Sequence, residues 1–268
     1  MELNKIYNEN CLDTMERMAD NFIDLTVTSP PYDGLRKYNG YSFDFESVAK
    51  ELYRVTKPGG VVVWVVGDAT VNGSETGTSF RQALFFKECC FNLHDTMIYA
   101  SNKPPLTHNR YEQSFEYMFV FVKGKIKTFN ALKINTIYSG VVKKFSYTTG
   151  TTDESKSAMR SGMDRKATVN AQKFRDNIWL YTTGSQNSTT DDIAFKHPAI
   201  YPEKLASDHI YSWSNEGDLI YDPFMGSGTT AKMAHIQKRN WIGSEISAEY
   251  VELANKRIEP YLNQTVLF

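Results

Sequence analysis

The sequence predicts an α/β protein built on a doubly wound, largely parallel sheet. Segments with strand and helix patterns alternate at both ends of the 268-residue chain. VVVWVVGD (61–68) is a continuous apolar run rich in β-branched residues, as in a strand that is buried on both faces of a parallel sheet. A glycine-rich turn at 226–228 joins a strand to a helix, as doubly wound folds require.

Local patterns place the individual elements. The first strand ends at a double proline, Pro30-Pro31. A helix follows, in which Val48, Leu52 and Val55 recur at helical spacing before Pro-Gly-Gly stops it. The predicted order is a strand at 22–29, a helix at 45–60, a strand at 61–68, a helix at 79–91, strands at 95–101 and 117–124, a helix at 202–214, a strand, glycine loop and helix within 218–237, a strand within 239–247 and a helix at 248–262.

The chain changes character between about residues 125 and 180. Apolar-periodic segments vanish there, and polar, basic and hydroxyl residues dominate. Residues 123–175 contain 12 Lys and Arg against 3 Asp and Glu, a balance of +9, although the whole chain has a net charge of −1. We therefore predict an insert whose basic surface either binds phosphates or is a solvated, lysine-rich loop region.

Composition restricts the class of protein. With 41% hydrophobic and 23% charged residues, the chain resembles an ordinary globular protein. Cys11, Cys89 and Cys90 lack metal-ligand spacing, which argues against a disulfide scaffold or a zinc site. The N-terminal residues do not form a signal-peptide pattern, and the strongest apolar run, 61–66, is too short to span a bilayer. A soluble cytoplasmic protein without a membrane partner is the expectation.

The segment DPFMGSGTTA (222–231) predicts a nucleotide-binding unit. Gly226 and Gly228 lie between a strand and a helix, and Glu245 follows 17 residues after Gly228 at the end of the next strand. The glycines let the backbone approach a ligand, and the acidic residue accepts hydrogen bonds from ribose hydroxyls. A Walker loop is excluded, because no Lys-Ser/Thr follows the glycines at the required spacing.

The residues before the glycines favour S-adenosylmethionine over NAD as the cofactor. In a dinucleotide fold the glycines follow the strand almost directly, so that the helix N-terminus meets the pyrophosphate. Here Asp222-Pro223-Phe224 intervenes. A carboxylate suits the ammonium group of methionine, and a ring suits an adenine or sulfonium face. An NAD-dependent oxidoreductase is the alternative.

Two motifs together resemble the amino-methylating DNA methyltransferases, which methylate an exocyclic amino group of cytosine or adenine. The family's catalytic motif, Asp/Asn/Ser-Pro-Pro-Tyr/Phe, is here Ser29-Pro30-Pro31-Tyr32. Its cofactor motif, Phe-x-Gly-x-Gly, begins here at Phe224. The resemblance covers residues 1–124 and 177–258, and it includes ELYRVTKPGG (51–60), HPAIYPEKLASDHI (197–210) and Glu245.

The resemblance implies a seven-stranded methyltransferase sheet, S-adenosyl-L-methionine as cofactor and double-stranded DNA as substrate. The catalytic motif precedes the cofactor motif, which is similar to the family's circularly permuted beta arrangement. This order makes 1–124 the catalytic half, 125–180 the target-recognition insert and 181–268 the cofactor-binding half. The implied cofactor-binding residues are Asn10, where many relatives carry Asp, and Asp222, Pro223, Phe224, Gly226, Gly228, Thr229, Thr230 and Glu245. The implied DNA-binding residues are Lys143, Lys144, Arg160, Arg165 and Lys166.

The Ser-Pro-Pro-Tyr motif suits methyl transfer to an amino nitrogen. The nitrogen is a poor nucleophile and is paired inside the duplex, so the base must be flipped out of the stack. Tyr32 offers a ring on which the flipped base stacks. The Ser29 hydroxyl and the Pro30 carbonyl accept the two amino hydrogens, which points the nitrogen lone pair at the sulfonium methyl. The prolines fix φ and remove two N–H donors.

The target base and further partners stay open at this point. Serine at the first motif position is commoner in the cytosine-amino enzymes, so cytosine N4 is favoured over adenine N6. A cognate restriction nuclease and a homodimer are further partners that the family context implies. A non-catalytic DNA-binding module is a rival interpretation, against which the intact motif residues argue. No metal is expected, because His197 and His209 lack a third ligand at useful spacing and are expected to cap or pack.

Overall fold

The computed structural model divides the chain into two units. The larger unit comprises Met1–Asn130 and Asn177–Phe268, and the smaller unit comprises Ala131–Asp176. The residues that the structure describes are 1–31, 44–102, 111, 113–137, 139–145, 165–184 and 187–262, with the backbone alone at 143–145 and 165–167.

The helices and strands of the described residues follow one another in an α/β order. They are β1 (Lys5–Tyr7), α1 (Cys11–Glu16), β2 (Ile23–Thr28), α2 (Phe45–Val55), β3 (Thr56–Val66), β4 (Thr70–Val71), β5 (Ser74–Glu75), α3 (Thr78–Glu88), β6 (Asn92–Ser101), β7 (Phe115–Val122), β8 (Lys133–Asn135), β9 (Val142–Phe145), β10 (Arg165–Thr168), β11 (Gln172–Phe174), β12 (Ile178–Tyr181), a 3-10 helix (Asp192–Lys196), α4 (Glu203–Trp213), β13 (Leu219–Asp222), α5 (Thr229–Ile236), β14 (Asn240–Ser244) and α6 (Ala248–Leu262).

The central sheet of the larger unit confirms the predicted fold class. Its strand order is β1-β14-β13-β2-β3-β7-β6-β12, and β7 alone among these strands runs antiparallel to both of its neighbours. The sheet has eight strands among the described residues, one more than the seven predicted. The edge strands β1 and β12 have only three and four residues, which is too short for a strand to be identified from sequence.

Helices cover both faces of this sheet, as a doubly wound fold requires. On one face, Trp64 of β3 contacts Phe86 of α3, and Phe86 stacks on Phe121 of β7 at a centroid distance of 4.5 Å. On the other face, His209 of α4 contacts Met118 of β7. Because β3 is covered on both sides, its residues 61–66 are at most 2% exposed, which explains their continuous apolar run.

The helix predicted at 45–60 ends earlier than expected, at Val55. Asp44 caps its start by accepting a hydrogen bond from Ser47 N (3.2 Å), and the Thr56 hydroxyl donates to Leu52 O (2.6 Å) at its end. The residues that follow enter β3, so the Pro-Gly-Gly segment lies in a strand rather than in a helix terminus. Gly60 is required there, because a Cβ atom would lie 2.9 Å from Asp24 O.

The smaller unit consists of paired short strands. β8 pairs with β11, and β9 pairs with β10, both in antiparallel register. These strands lie inside the segment in which no regular apolar pattern was found, because their side chains are mostly polar and, where described, exposed.

Candidate active site

The carboxyl ends of β1, β14, β13 and β2 lie side by side at one edge of the larger unit's sheet. Parallel strands present their carboxyl ends to the same edge, where ligands bind in doubly wound folds. Ser29 follows β2, the glycine loop follows β13, and Glu245 follows β14. The tertiary structure therefore brings the two motifs together from distant parts of the chain. Thr28 and Asp222 are 194 residues apart in the sequence, and a buried hydrogen bond joins their side chains.

Asp222 links the catalytic strand to the glycine loop. Its Oδ1 accepts hydrogen bonds from the Thr28 hydroxyl (2.7 Å) and from Phe224 N (3.0 Å), and its Oδ2 accepts one from the Thr230 hydroxyl (2.6 Å). The Thr230 hydroxyl is also 3.2 Å from Val27 O and contacts the Tyr201 hydroxyl. Both carboxylate oxygens are thus bound to neighbouring elements of the fold.

The burial of Asp222 gives this residue a role within the fold. The residue is 1% exposed, and this burial raises the pKa of its carboxyl group, while hydrogen bonds from Thr230 and Thr28 act in the opposite direction. These contacts favour a positioning role, in which Asp222 holds Thr28, and hence Ser29, against the glycine loop. Its contact with the ammonium group of the cofactor stays a prediction.

The glycine loop depends on two left-handed residues. Gly226 has φ 50° and Gly228 has φ 81°, a region in which other residues are strained. A Cβ atom at Gly226 would lie 3.0 Å from the His197 ring, and one at Gly228 would lie 3.0 Å from Ala254 and Ile258. The tight packing of the loop against its own protein therefore requires both glycines.

Glu245 stabilises the same loop through a hydrogen bond. Its Oε2 accepts a hydrogen bond from Gly226 N (2.9 Å), and its Oε1 accepts one from Ser247 N (2.9 Å). Burial raises the pKa of this carboxyl group, against the effect of the two amide donors. The side chain is only partly buried, so a carboxylate at the carboxyl end of β14 remains near the surface, as binding of ribose hydroxyls requires.

Asn10 and Phe224 follow β1 and β13, the two strands that flank β14. Asn10 is exposed and caps α1 by accepting a hydrogen bond from Leu12 N (2.9 Å), just after β1, which is the neighbour of β14. Phe224 is half-buried, and its ring meets the edge of Trp64 at a centroid distance of 6.3 Å. A partly exposed ring, a partly exposed carboxylate and a glycine loop fit an adenosine-containing cofactor.

The catalytic motif leaves β2 beside these residues. Ser29 is half-buried and Pro30 is buried directly after Thr28, which Asp222 holds. Pro31 is half-buried, and Tyr32 lies outside the described residues. The hydroxyl of Ser29 and the carbonyl of Pro30 are therefore positioned by a strand end that is itself hydrogen-bonded to the cofactor motif.

A buried charge network beneath the glycine loop was not predicted from sequence. Arg257 contacts Asp191 (2.9 Å) and Glu203 (2.6 Å), and Lys232 contacts the same two carboxylates (2.6 and 2.7 Å). The side chains of Arg257 and Lys232 are 1% and 3% exposed. Arg257 also donates to Ser227 O (2.9 Å), which ties the network to the loop.

No sequence signal identifies this network as a whole. Glu203 lies within the quoted segment 197–210, but Asp191, Lys232 and Arg257 belong to ordinary helical or loop patterns. Thr229 belongs to the same region, since its hydroxyl accepts a hydrogen bond from Arg257 (3.0 Å). Thr229 and Thr230 are 3% and 1% exposed, so both stabilise the loop from inside.

The two histidines pack within the larger unit. His197 is 8% exposed, and its ring lies 4.3 Å from that of Tyr250, centroid to centroid. His209 is fully buried and accepts a hydrogen bond from Trp213 Nε1 (3.1 Å). Among the described residues, no group of three His, Cys, Asp or Glu side chains is arranged to hold a metal ion.

The predicted DNA-binding residues lie in the smaller unit. Lys143 and Lys144 belong to β9, and Arg165 and Lys166 belong to β10; the backbone register pairs Lys144 with Lys166. Arg160 lies outside the described residues.

Within the part of the chain that the structure describes, no helix has both the length and the apolar character needed to cross a membrane.

Comparison with known proteins decides the family. A family model described as DNA methylase matches residues 23–256, which include both motifs and the residues between them. The chain belongs to the amino-methylating DNA methyltransferases. The orphan methyltransferase M.BamHII of Bacillus amyloliquefaciens is 57% identical to it over 250 residues, with 92% of each chain covered. The NAD-dependent oxidoreductase and the non-catalytic module are therefore set aside.

Solved structures agree with the methyltransferase fold. The Thermus thermophilus protein TTHA0409, complexed with S-adenosyl-L-methionine, has a TM-score of 0.65 and 20% identity, covering 97% of this chain and 94% of that one. The PvuII DNA methyltransferase, described as cytosine-N4-specific, has a TM-score of 0.68 and 20% identity, covering 97% and 91%.

Proposed function

We propose that the methyltransferase transfers a methyl group from S-adenosyl-L-methionine to cytosine N4 in double-stranded DNA at a specific site. The observation that carries this proposal is the hydrogen bond between Thr28 and Asp222, which joins the Ser29-Pro30 strand end to the glycine loop at 2.7 Å. An amino-group acceptor and a cofactor loop are thereby held at one edge of one sheet.

The cofactor supplies an electrophilic methyl group on a positively charged sulfur. Glu245, Phe224 and the loop at Gly226 form the candidate site for its adenosine part. Ser29 and Pro30 accept the two amino hydrogens of the flipped base, which holds the nitrogen lone pair toward the methyl group. The nitrogen would form the new N–C bond as the bond between sulfur and the methyl group breaks and S-adenosylhomocysteine leaves; the methylated nitrogen would then release one proton to solvent.

Two observations favour cytosine over adenine. Serine stands at the first position of the catalytic motif, and the PvuII enzyme, which has the same fold, is described as cytosine-N4-specific. Methylation of adenine N6 is the second candidate, because a neutral hydroxyl accepts equally well from either amino group.

Nucleoside analysis tests the target base. Plasmid DNA methylated by the purified enzyme is digested to nucleosides and analysed by mass spectrometry, with DNA incubated without cofactor as the control. We expect N4-methylcytosine. N6-methyladenine would establish the second candidate, and the absence of both modified nucleosides from DNA that contains all short sequences would overturn the proposal.

The basic residues of β9 and β10 are proposed to hold the DNA backbone. Reversing Lys143, Lys144, Arg165 and Lys166 to Glu is expected to weaken DNA binding. It should also flatten the salt dependence by roughly 0.9 in log–log slope for each phosphate that the variant no longer neutralises, because fewer counterions are released. Titration of a labelled duplex at several salt concentrations measures both effects.

A matched control keeps the charge change constant. Reversing Lys50, Lys87, Lys238 and Lys256 alters the net charge equally but outside the smaller unit. Affinity for S-adenosylhomocysteine should survive in both variants. An equal loss of DNA binding in the two variants would show that general charge, and not the β9–β10 strands, governs the interaction.

The remaining partners stay predictions. M.BamHII is described as an orphan methyltransferase, which favours an enzyme that works without a cognate nuclease over one that has such a partner. A homodimer is likewise a prediction, which sedimentation of the purified protein would decide.

A further inference from the structure

The smaller unit contains a two-stranded ribbon, which we call the β8–β11 ribbon (Lys133–Asn135 and Gln172–Phe174). Its antiparallel register places Gln172 opposite Asn135, Lys173 opposite Ile134 and Phe174 opposite Lys133. Thr136 N and Arg175 N donate backbone hydrogen bonds across it to Ala171 O (2.9 Å) and Leu132 O (2.8 Å). The pairing therefore continues beyond the three residue pairs at both ends.

Both faces of the β8–β11 ribbon are exposed. All six of its residues are exposed, including Ile134 at 38% and Phe174 at 60%. A two-stranded ribbon without a buried face gains little stability from packing. Its side chains therefore contribute little to a core, and they are accessible to a partner.

An amide pair occupies one face of this ribbon. Gln172 Nε2 donates to Asn135 Oδ1 at 3.3 Å. Among the described residues, Gln172 Oε1 and Asn135 Nδ2 take part in no other hydrogen bond. The pair thus leaves an acceptor, Gln172 Oε1, and a donor, Asn135 Nδ2, available to a ligand. Turning both amide groups over leaves one donor and one acceptor as well, so the pattern does not depend on their assignment.

This pattern matches the major-groove edge of adenine. Adenine presents an acceptor at N7 and a donor at N6, whereas guanine presents two acceptors, N7 and O6. The amide donor would meet N7, and the amide acceptor would meet the N6 amino group. Against guanine the amide acceptor would face O6, which is repulsive. A two-stranded ribbon is also a shape that the major groove admits.

The charge of the smaller unit suits the same partner. Residues 131–176 contain nine Lys and Arg against four Asp and Glu. The β9–β10 register also places Lys144 and Lys166 at opposite backbone positions. Phosphates of a duplex in contact with the unit would be neutralised by basic residues of this kind.

We infer that the β8–β11 ribbon lies in the major groove of the target duplex, where Asn135 and Gln172 together read the adenine of an A·T pair in the recognised sequence. This inference rests on the proposed methyl transfer to double-stranded DNA. Beyond that function, the inference identifies the β8–β11 ribbon as the element that reads the sequence and an A·T pair as the base pair that the ribbon reads.

The test measures the methylation of a random-sequence duplex library by the full-length enzyme, with modification-sensitive long-read sequencing as the readout. The variants are Asn135→Ala and Gln172→Ala, and Ile134→Ala on the opposite face of the same ribbon is the control. We expect each amide variant to lose about 5- to 150-fold of the discrimination at one A·T position, the range for one bidentate base contact. Ile134→Ala should keep the wild-type sequence profile.

A change of specificity provides a sharper arm. In Gln172→Glu the new carboxylate only accepts hydrogen bonds, and Asn135 can turn its amide to donate to it. The ribbon would then present two acceptors, which match the N4 amino group of cytosine rather than adenine. We expect the preference at the same position to move from A toward C.

The outcomes separate the ribbon from the proposed function. Methylation of no sequence by the wild-type enzyme would defeat the proposed function, and this inference with it. A sequence profile that is unchanged in both amide variants and in Gln172→Glu would defeat the inference alone. A uniform loss of methylation over all sequences would also overturn it, since the amides would then only position the duplex. Unchanged S-adenosylhomocysteine affinity confirms that each variant retains the fold of the larger unit.

Discussion

Replacing Ser29 by alanine is expected to lower the rate of methyl transfer by about 10²- to 10³-fold, the range for loss of one preorganised hydrogen-bond partner. The substitution removes an acceptor for the target amino group and almost no volume. Because phosphate contacts dominate DNA affinity, binding of the duplex should change by less than about tenfold. Single-turnover transfer of labelled methyl groups measures the rate directly.

The matched control for this prediction is Ser74→Ala. Ser74 lies in β5, in the short hairpin that follows the carboxyl end of β3, and its hydroxyl contacts the Glu75 carbonyl (3.3 Å). The Ser74→Ala substitution therefore removes a hydroxyl group near the same edge of the sheet and leaves the catalytic motif unchanged. Ser74→Ala should transfer at the wild-type rate. If Ser29→Ala does so too, the hydroxyl is not the catalytic acceptor, and the role passes to the Pro30 carbonyl.

Removing Asp222 is expected to damage both stability and catalysis. In Asp222→Ala the Phe224 amide and the Thr28 hydroxyl lose their buried acceptor. The third donor, the Thr230 hydroxyl, keeps Val27 O as an acceptor. The two donors left unsatisfied, at about 1–3 kcal/mol each, lower the free energy of unfolding by roughly 2–6 kcal/mol. Ser29 then loses its positioning, and a displacement of about 1 Å costs roughly 10²-fold in rate. Denaturant unfolding and single-turnover transfer well below the melting temperature measure the two effects.

Asp222→Asn separates positioning from ligand contact. An asparagine keeps an acceptor for Thr28 and Phe224, and the Thr230 hydroxyl can reverse, accept from the new amide and donate to Val27 O. We therefore expect near-normal stability and cofactor affinity. A loss of S-adenosylhomocysteine affinity at unchanged stability would instead support a contact between the carboxylate and the ligand's ammonium group. Asp218→Ala, at the opposite end of β13, controls for the loss of one carboxylate.

The sequence by itself determined the features that depend on local pattern. The buried strand at 61–66 follows from its uninterrupted apolar residues, because a strand covered on both faces has no polar side to show. Gly226 and Gly228 are tied to left-handed backbone positions that other residues adopt only with strain. The Ser29-Pro30 strand end and Glu245 were likewise placed at the ends of their strands by neighbouring residues alone.

Only the tertiary structure decided what those residues contact. The sequence predicts a ligand-binding carboxylate at Asp222. In the structure this carboxylate accepts a hydrogen bond from Thr28, which lies 194 residues away along the chain. The Arg257 network and the Asn135–Gln172 pair likewise join residues that are 66 and 37 positions apart. A carboxylate or an amide has the same local sequence signature whether it meets a ligand, a hydroxyl group or solvent. Packing of distant segments determines which of these partners is within hydrogen-bonding distance.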